Sequence, residues 1–319
     1  MPNGTVVTEF LLQGFSDGWD QQILLFVLFL GLYLAALVGN LLILAAVAFN
    51  RRLHTPMYFF LGNLSLLDLC YVSVTVPKAM AGALTSSRRI SFSACAAQVF
   101  LVVTCAVAEL ALLTVMAFDR YVAICHPLHY TMTMSRGACV RLAAGSWIGS
   151  AVCSALHTAN TFRLPFCGSN VVAQFFCAIP QLLRLSCSET RANELVMIAL
   201  GSLLDGFCFA LIIASYGCIF STVMRIPSEQ GRYKVFSTCL PHLLVFGLFI
   251  GTASFTYMQP TSTSSPALDR LATVLYCLVP PLMNPIIYSL RNSEVKACLW
   301  TMLGGRLFPT KDSFLPRNP

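Results

Sequence analysis

The chain has 319 residues, of which 57% are hydrophobic and 10% charged, with a net charge of +7. A soluble domain carries roughly 25% charged residues, so this chain cannot cover a water-facing surface and lipid must form part of its solvent. Its Lys and Arg are spread over many short loops, which excludes a concentrated nucleic-acid surface and leaves attraction to anionic lipid as the reading of the net charge.

Residues 1–22 read as an N-terminal tail, polar or mixed, with Glu9, Asp17 and Asp20. They lack the basic stretch followed by a short apolar run that marks a cleavable signal peptide, so the first hydrophobic helix is expected to serve as the targeting element. Asn3-Gly4-Thr5 is an N-glycosylation acceptor sequence, which makes Asn3 the candidate. A second match, Asn63-Leu64-Ser65, falls inside a hydrophobic segment.

A bilayer core about 30 Å thick needs roughly 20 apolar residues in a helix. Such segments are predicted at Ile23–Phe49, Met57–Gly82, Ala94–Ile124, Val140–Phe162, Leu195–Met224, Phe236–Met258 and Leu268–Leu290. Backbone groups in lipid must bond internally, which makes these segments helices. The short alternating segments of a membrane barrel are absent. The predicted fold is therefore all-α, a seven-helix transmembrane bundle over residues 23–290 followed by a tail over 291–319. With the N-terminus outside, the inner segments hold thirteen Lys and Arg and the outer segments seven. The positive-inside rule then puts the N-terminus outside and the C-terminus in the cytoplasm.

Of 14 cysteines, most lie within spans, where they read as small buried hydrophobes. Cys95 begins the third span on the outer side, and Cys167, Cys177 and Cys187 lie in the outer loop after the fourth. That compartment is oxidising, so disulfides are expected. Four cysteines allow three connectivities, among which spacing does not choose.

Several stretches form a set: Gly39-Asn40, Leu53-His54-Thr55-Pro56-Met57-Tyr58-Phe59-Phe60-Leu61, and Met116-Ala117-Phe118-Asp119-Arg120-Tyr121-Val122-Ala123-Ile124-Cys125. Ser215-Tyr216, Lys234-Val235-Phe236-Ser237-Thr238-Cys239 and Asn284-Pro285-Ile286-Ile287-Tyr288-Ser289-Leu290-Arg291-Asn292 complete it. Together they resemble the olfactory receptors, a branch of the rhodopsin-like G-protein-coupled receptors, from the first span to the end of the seventh. The resemblance implies a multi-pass plasma-membrane receptor, not an enzyme, with a short cytoplasmic amphipathic helix after the seventh span. It implies binding of small, mostly apolar volatile ligands within the bundle. It also implies activation of a stimulatory G protein of the olfactory type, raising cyclic AMP. It pairs Cys95 with Cys177 and Cys167 with Cys187. The first bridge would close a loop for which chain entropy gives roughly 4.5 kcal/mol.

The acids Asp68 and Glu109 lie deep in the second and third spans. Charged groups at that depth are costly and face the bundle interior. One reading is a protonated, hydrogen-bonded structural acid. The other is a sodium site formed by two hard carboxylates, with Asn284 in the same network; the resemblance supports this second reading, an allosteric ion and no other cofactor. Three helical turns separate Glu109 from Arg120, about 16 Å along one face. Arg120 beside Asp119 reads as a resting ion pair whose opening helps to form the G-protein pocket. Tyr121 and Pro285 belong to the same motifs, and Tyr216 and Tyr288 are expected to stabilise the open form.

The ligand-lining candidates follow from position alone. They are Val102, Val103, Ala106 and Val107 on the third helix, and Met197, Leu200, Gly201 and Leu204 on the fifth. Ile250, Ala253, Ser254 and Tyr257 on the sixth and Val274 and Cys277 on the seventh complete the set. Their apolar character suits a small-ligand pocket, and ordinary helix packing is the alternative for each. The chain departs from the family pattern at Phe118 (usually Tyr), Pro241 (usually Ser) and Ile250 (usually Tyr). Asp205, in mid-span five, lies outside the pattern and reads either as a cation-binding acid or as a neutral, water-bridged one. A transporter or channel would show internal repeats or charges along a path, and a membrane enzyme a recognisable catalytic motif. Neither is found.

Overall fold

The structure, a computed structural model, describes residues 7–13, 18–85, 88–166, 169–187, 191–257, 266–291 and 293–304. Among the described residues, seven helices are long and apolar enough to cross a membrane. In chain order they are α1 (Trp19–Phe49), α2 (Pro56–Thr85), α3 (Phe92–Cys125), α5 (Arg136–Phe162), α7 (Arg191–Met224), α8 (Glu229–Tyr257) and α9 (Pro266–Arg291). Short helices α4 (Tyr130–Thr133) and α6 (Ile179–Leu185) lie in connections, and α10 (Ser293–Gly304) follows the seventh span. The predicted spans all appear. Most helices run past them, and α8 begins at Glu229 rather than Phe236. Hydropathy marks only the part of a helix that meets lipid, whereas Glu, Gln, Arg and Lys are good helix formers in water.

Large apolar side chains line the outside of the bundle, among them Leu24, Val27 and Leu28 of α1 and Leu203 and Phe207 of α7. In water such exposure would be a liability; against acyl chains it is the ordinary state. Inside, α3 packs against α2, α5, α7 and α8. Its start is capped by Ser91, whose hydroxyl accepts from the Ala94 N–H, and α5 is capped in the same way by Ser135 and Ala138. These hydroxyls satisfy N–H groups that a first helical turn leaves open.

One element was not expected. Residues read as tail form strand β1 (Glu9–Leu12), which pairs antiparallel with β2 (Arg89–Ser91) and parallel with β3 (Val171–Val172). The strand buries Phe10 completely and Leu12 nearly so, against Ile90, Phe166 and Val172. The alternation of Phe10 and Leu12 with Glu9 and Leu11 is the period of a half-buried strand, though over four residues it is too short to stand out. Helix α10 is amphipathic as expected. It buries Val295 and Cys298 and exposes Lys296 and Trp300.

Candidate functional site

The first site is built around the seventh span. Pro285 carries no N–H, so the carbonyl one turn earlier, that of Pro281, loses its helical donor. The Asn40 side chain of α1 supplies one instead, its Nδ2 donating to the Pro281 oxygen at 2.9 Å and to the Ala36 oxygen at 3.0 Å. The neighbouring Gly39 lets the two helices approach, because a Cβ there would lie 2.9 Å from Pro285 Cγ. The Gly39-Asn40 and Asn284-Pro285 motifs are thus two halves of one contact.

One residue away, Asn284 Nδ2 donates to both carboxylate oxygens of Asp68, at 3.0 and 3.3 Å, and reaches Glu109 Oε1 at 3.5 Å. All three side chains are buried. Among the described residues, the Oδ1 of Asn284 and that of Asn40 find no hydrogen-bond partner. Two buried carboxylates gathered on one amide are the oxygen donors that a hard cation takes. Among the described residues no group of three or more His, Cys, Asp or Glu gathers to hold a metal.

The second site lies at the end of α3 away from the sheet. Arg120 Nε donates to Asp119 Oδ2 at 2.9 Å, with Nη2 on the same oxygen. Asp119 is fully buried, and its other oxygen accepts from the Tyr130 hydroxyl of α4 at 2.8 Å. Burial first, then the Asp119 charge and hydrogen bond, push the Tyr130 hydroxyl well above its ordinary range, so it remains a donor. Tyr121 shares a 2.9 Å hydrogen bond with His126.

Beside this lock, His242 joins three helices. The Leu113 carbonyl of α3 accepts from its Nε2 at 2.9 Å, and the Tyr216 hydroxyl of α7 lies 2.8 Å from its Nδ1. A carbonyl only accepts, so the neutral ring carries its proton on Nε2 and Tyr216 donates to Nδ1. The Tyr288 hydroxyl of α9 is buried without a hydrogen-bond partner among the described residues. Arg120, Pro241, His242 and Tyr288, with Met57, Met116 and Thr238, line a small cavity of ≈ 20 Å³. Space beside a closed ion pair and an unpartnered hydroxyl is what a rearrangement at this end requires.

The ligand-lining candidates divide. Val102 and Cys277 are buried in the core, where the Tyr71 hydroxyl lies 3.6 Å from Cys277 Sγ. Val103, Ala106, Val107, Ile250, Ala253, Ser254 and Val274 are half-buried. On α7, Leu200 is 55% and Leu204 42% exposed, whereas Gly201 faces His157 of α5, whose ring would lie 3.5 Å from a Cβ there. Helical phase explains the difference. The fully buried Ile212 is three turns from Gly201, and Leu200 lies about 100° further round. The side chains of Met197 and Tyr257 lie outside the described residues, as do Asn3 and Cys167. Asp205 lies within electrostatic range of His157. Phe118 is exposed, its ring 6.3 Å from that of Tyr121.

At the sheet end, Cys95 and Cys177 form a disulfide across a sequence separation of 82. Cys187 is also disulfide-bonded. Gln98, which the sequence did not single out, holds the same junction. Its Oε1 accepts from the Cys177 N–H at 2.8 Å and its Nε2 donates to the Val74 carbonyl of α2 at 2.9 Å. His242 and Tyr130 were missed too. Only the adjacency of His242 to a helical proline pointed to it.

These features define a class. The structure superposes on the crystal structure of squid rhodopsin with a TM-score of 0.69, covering 95% of this chain and 94% of that one at 17% identity. The bundle is thus a rhodopsin-like seven-helix fold. The family model for olfactory receptors matches residues 29–306. Olfactory receptor 14A16 of Homo sapiens is 52% identical over 307 residues, covering 96% of this chain and 99% of that relative. Olfactory receptor 14L1 of Homo sapiens is 49% identical over 302 residues, covering 95% and 93%. The chain belongs to the olfactory receptor family. It is a signalling receptor rather than an enzyme, a multi-pass protein of the plasma membrane.

Proposed function

We propose that this receptor binds small, mostly apolar volatile molecules within the helix bundle and activates a stimulatory G protein of the olfactory type, raising cyclic AMP. The observation that carries the reading is the closed Asp119–Arg120 pair, braced by Tyr130, beside the cavity lined by His242 and Tyr288. A ligand that favours the open arrangement shifts the population towards it. Arg120 then leaves Asp119, and Tyr216 and Tyr288 move to hold the new packing. The half-buried, apolar residues of α3, α8 and α9 form the ligand wall, with Gly201 as the α7 contribution. In this reading the N-terminus, with a glycan on Asn3, is outside, Cys167 pairs with Cys187, and the basic loops meet inner-leaflet lipid, in line with the distribution of Lys and Arg.

Asp68, Glu109 and Asn284 would hold a sodium ion in the resting state. The ion supplies charge compensation for two buried carboxylates, and the chain's part is to keep their oxygens together through the Asn284 amide. An ion that binds only the closed packing stabilises it by mass action.

The test is a cyclic AMP screen in transfected cells across acids, amines, aldehydes, ketones and musks. A dose-dependent response from one chemical class supports the reading. A ligand shown to bind the purified protein without raising cyclic AMP would contradict it. A response confined to amines and lost in Asp205→Asn would assign that acid as their counter-charge.

A further inference from the structure

At the Arg120 end a wide cleft opens between the end of α1, the turn at Arg51–Leu53 and α10. Its volume is ≈ 480 Å³, and it is lined by Arg51, Arg52, Glu294 and Thr301, among others. The turn is fixed by Asn50, whose side chain accepts from the Arg52 N–H at 3.0 Å, and by the fully buried Leu53. Both arginines are exposed, and among the described residues neither has an ion-pair or side-chain hydrogen-bond partner. Glu294 stands on the opposite wall. The Tyr58 hydroxyl of α2 donates to its Oε2 at 2.9 Å, which ties the acid to α2. Phe49, 82% exposed, lines the cleft, and Trp300, 72% exposed, stands one residue before the lining Thr301. Aromatic side chains so placed at a span's end belong in the interface between headgroups and acyl chains.

We infer that this cleft binds the phosphorylated headgroup of an anionic phospholipid of the inositol class. The paired guanidinium groups present fixed forks that match phosphate oxygens bidentately. The cleft falls within the size range of small-molecule sites, roomy enough for a ring bearing several phosphates. The exposed aromatic side chains select a ligand with acyl chains over a soluble phosphate. Glu294 limits where the anion sits, on the Arg51–Arg52 side. Placement of this end at the inner leaflet rests on the orientation proposed above.

The experiment uses the purified full chain in detergent micelles, with native mass spectrometry to count bound lipid. The added lipids are phosphatidylinositol 4,5-bisphosphate, phosphatidylserine and phosphatidylcholine, and the soluble arm is inositol trisphosphate. The phosphoinositide is retained in preference to the other two lipids and to inositol trisphosphate. Arg51→Gln/Arg52→Gln weakens its retention about thirtyfold, following a contribution of roughly 1 kcal/mol for each basic residue. The charge-matched control Arg225→Gln/Arg232→Gln leaves it unchanged, and circular dichroism reports that each variant is folded. Equal retention by the double variant, equal retention of phosphatidylcholine, or binding of inositol trisphosphate as tight as the lipid would each overturn the inference. Binding is read without odorant or G protein, so its failure leaves the signalling reading intact, and a failure of signalling leaves the lipid site intact.

Discussion

The Asn40 side chain donates a 2.9 Å hydrogen bond to the carbonyl of Pro281, the oxygen that Pro285 deprives of its helical donor. An unsatisfied carbonyl in lipid costs several kcal/mol, so the residue that answers Pro285 comes from another helix. Gly39 makes the approach possible. Gly39→Ala puts a Cβ 2.9 Å from Pro285 Cγ, and overpacking of this kind costs about 1–3 kcal/mol. The thermal midpoint of the purified receptor should fall. Adding Pro285→Ala, which removes the contacting atom, should recover part of the loss; purely additive effects would show that the two residues are not coupled.

Tyr130→Phe removes the hydroxyl that donates to Asp119 and keeps the ring. Hydrogen bonds to a charged group contribute about 1.5–3 kcal/mol, enough to loosen the closed Asp119–Arg120 pair. Ligand-independent cyclic AMP should rise several-fold at equal surface expression. Because Tyr130 is shifted upwards, its proton stays in place through the physiological range, and its contribution to the closed state, lost only as pH rises through that raised value, is constant from pH 6 to 8. A basal signal unchanged by the substitution would remove Tyr130 from the lock.

The sodium proposal concerns Asp68, Glu109 and Asn284. Replacing medium sodium with N-methylglucamine should increase ligand potency of the wild type by about fivefold or more, within the usual range of allosteric coupling. Asp68→Asn should abolish that sensitivity. Potency indifferent to sodium in the wild type would leave the structural-acid reading.

Cys177→Ser breaks the bridge to Cys95 and frees the loop that carries β3. Loss of a native disulfide typically costs 2–5 kcal/mol, so surface staining should drop sharply while total protein persists inside the cell. Normal surface delivery would mean that the Gln98 contacts and the sheet hold the junction unaided.

Sequence made the bundle legible because a lipid solvent imposes one rule on every span: about 20 apolar residues in a helix. Asp68, Glu109 and Asn284 were legible because acids and amides are rare at that depth. Strand β1 was hidden, since its four residues pair with segments far away in the chain and have little pattern of their own. His242, Tyr130 and Gln98 were hidden for a related reason. Each is an ordinary polar residue until its partners, Leu113 and Tyr216, Asp119, and Cys177, are brought beside it. Leu200 and Leu204 show the reverse case. Apolar character fits an inward position and a lipid-facing one equally, and only the phase set by Ile212 separates them.

Arg120 is the moving part of the proposed two-state switch. The measurement that tests it most directly is ligand-evoked cyclic AMP from Arg120→Ala, with surface receptor counted on the same cells. The evoked signal is expected to disappear while surface receptor remains. Full signalling by this variant at normal surface density would contradict it.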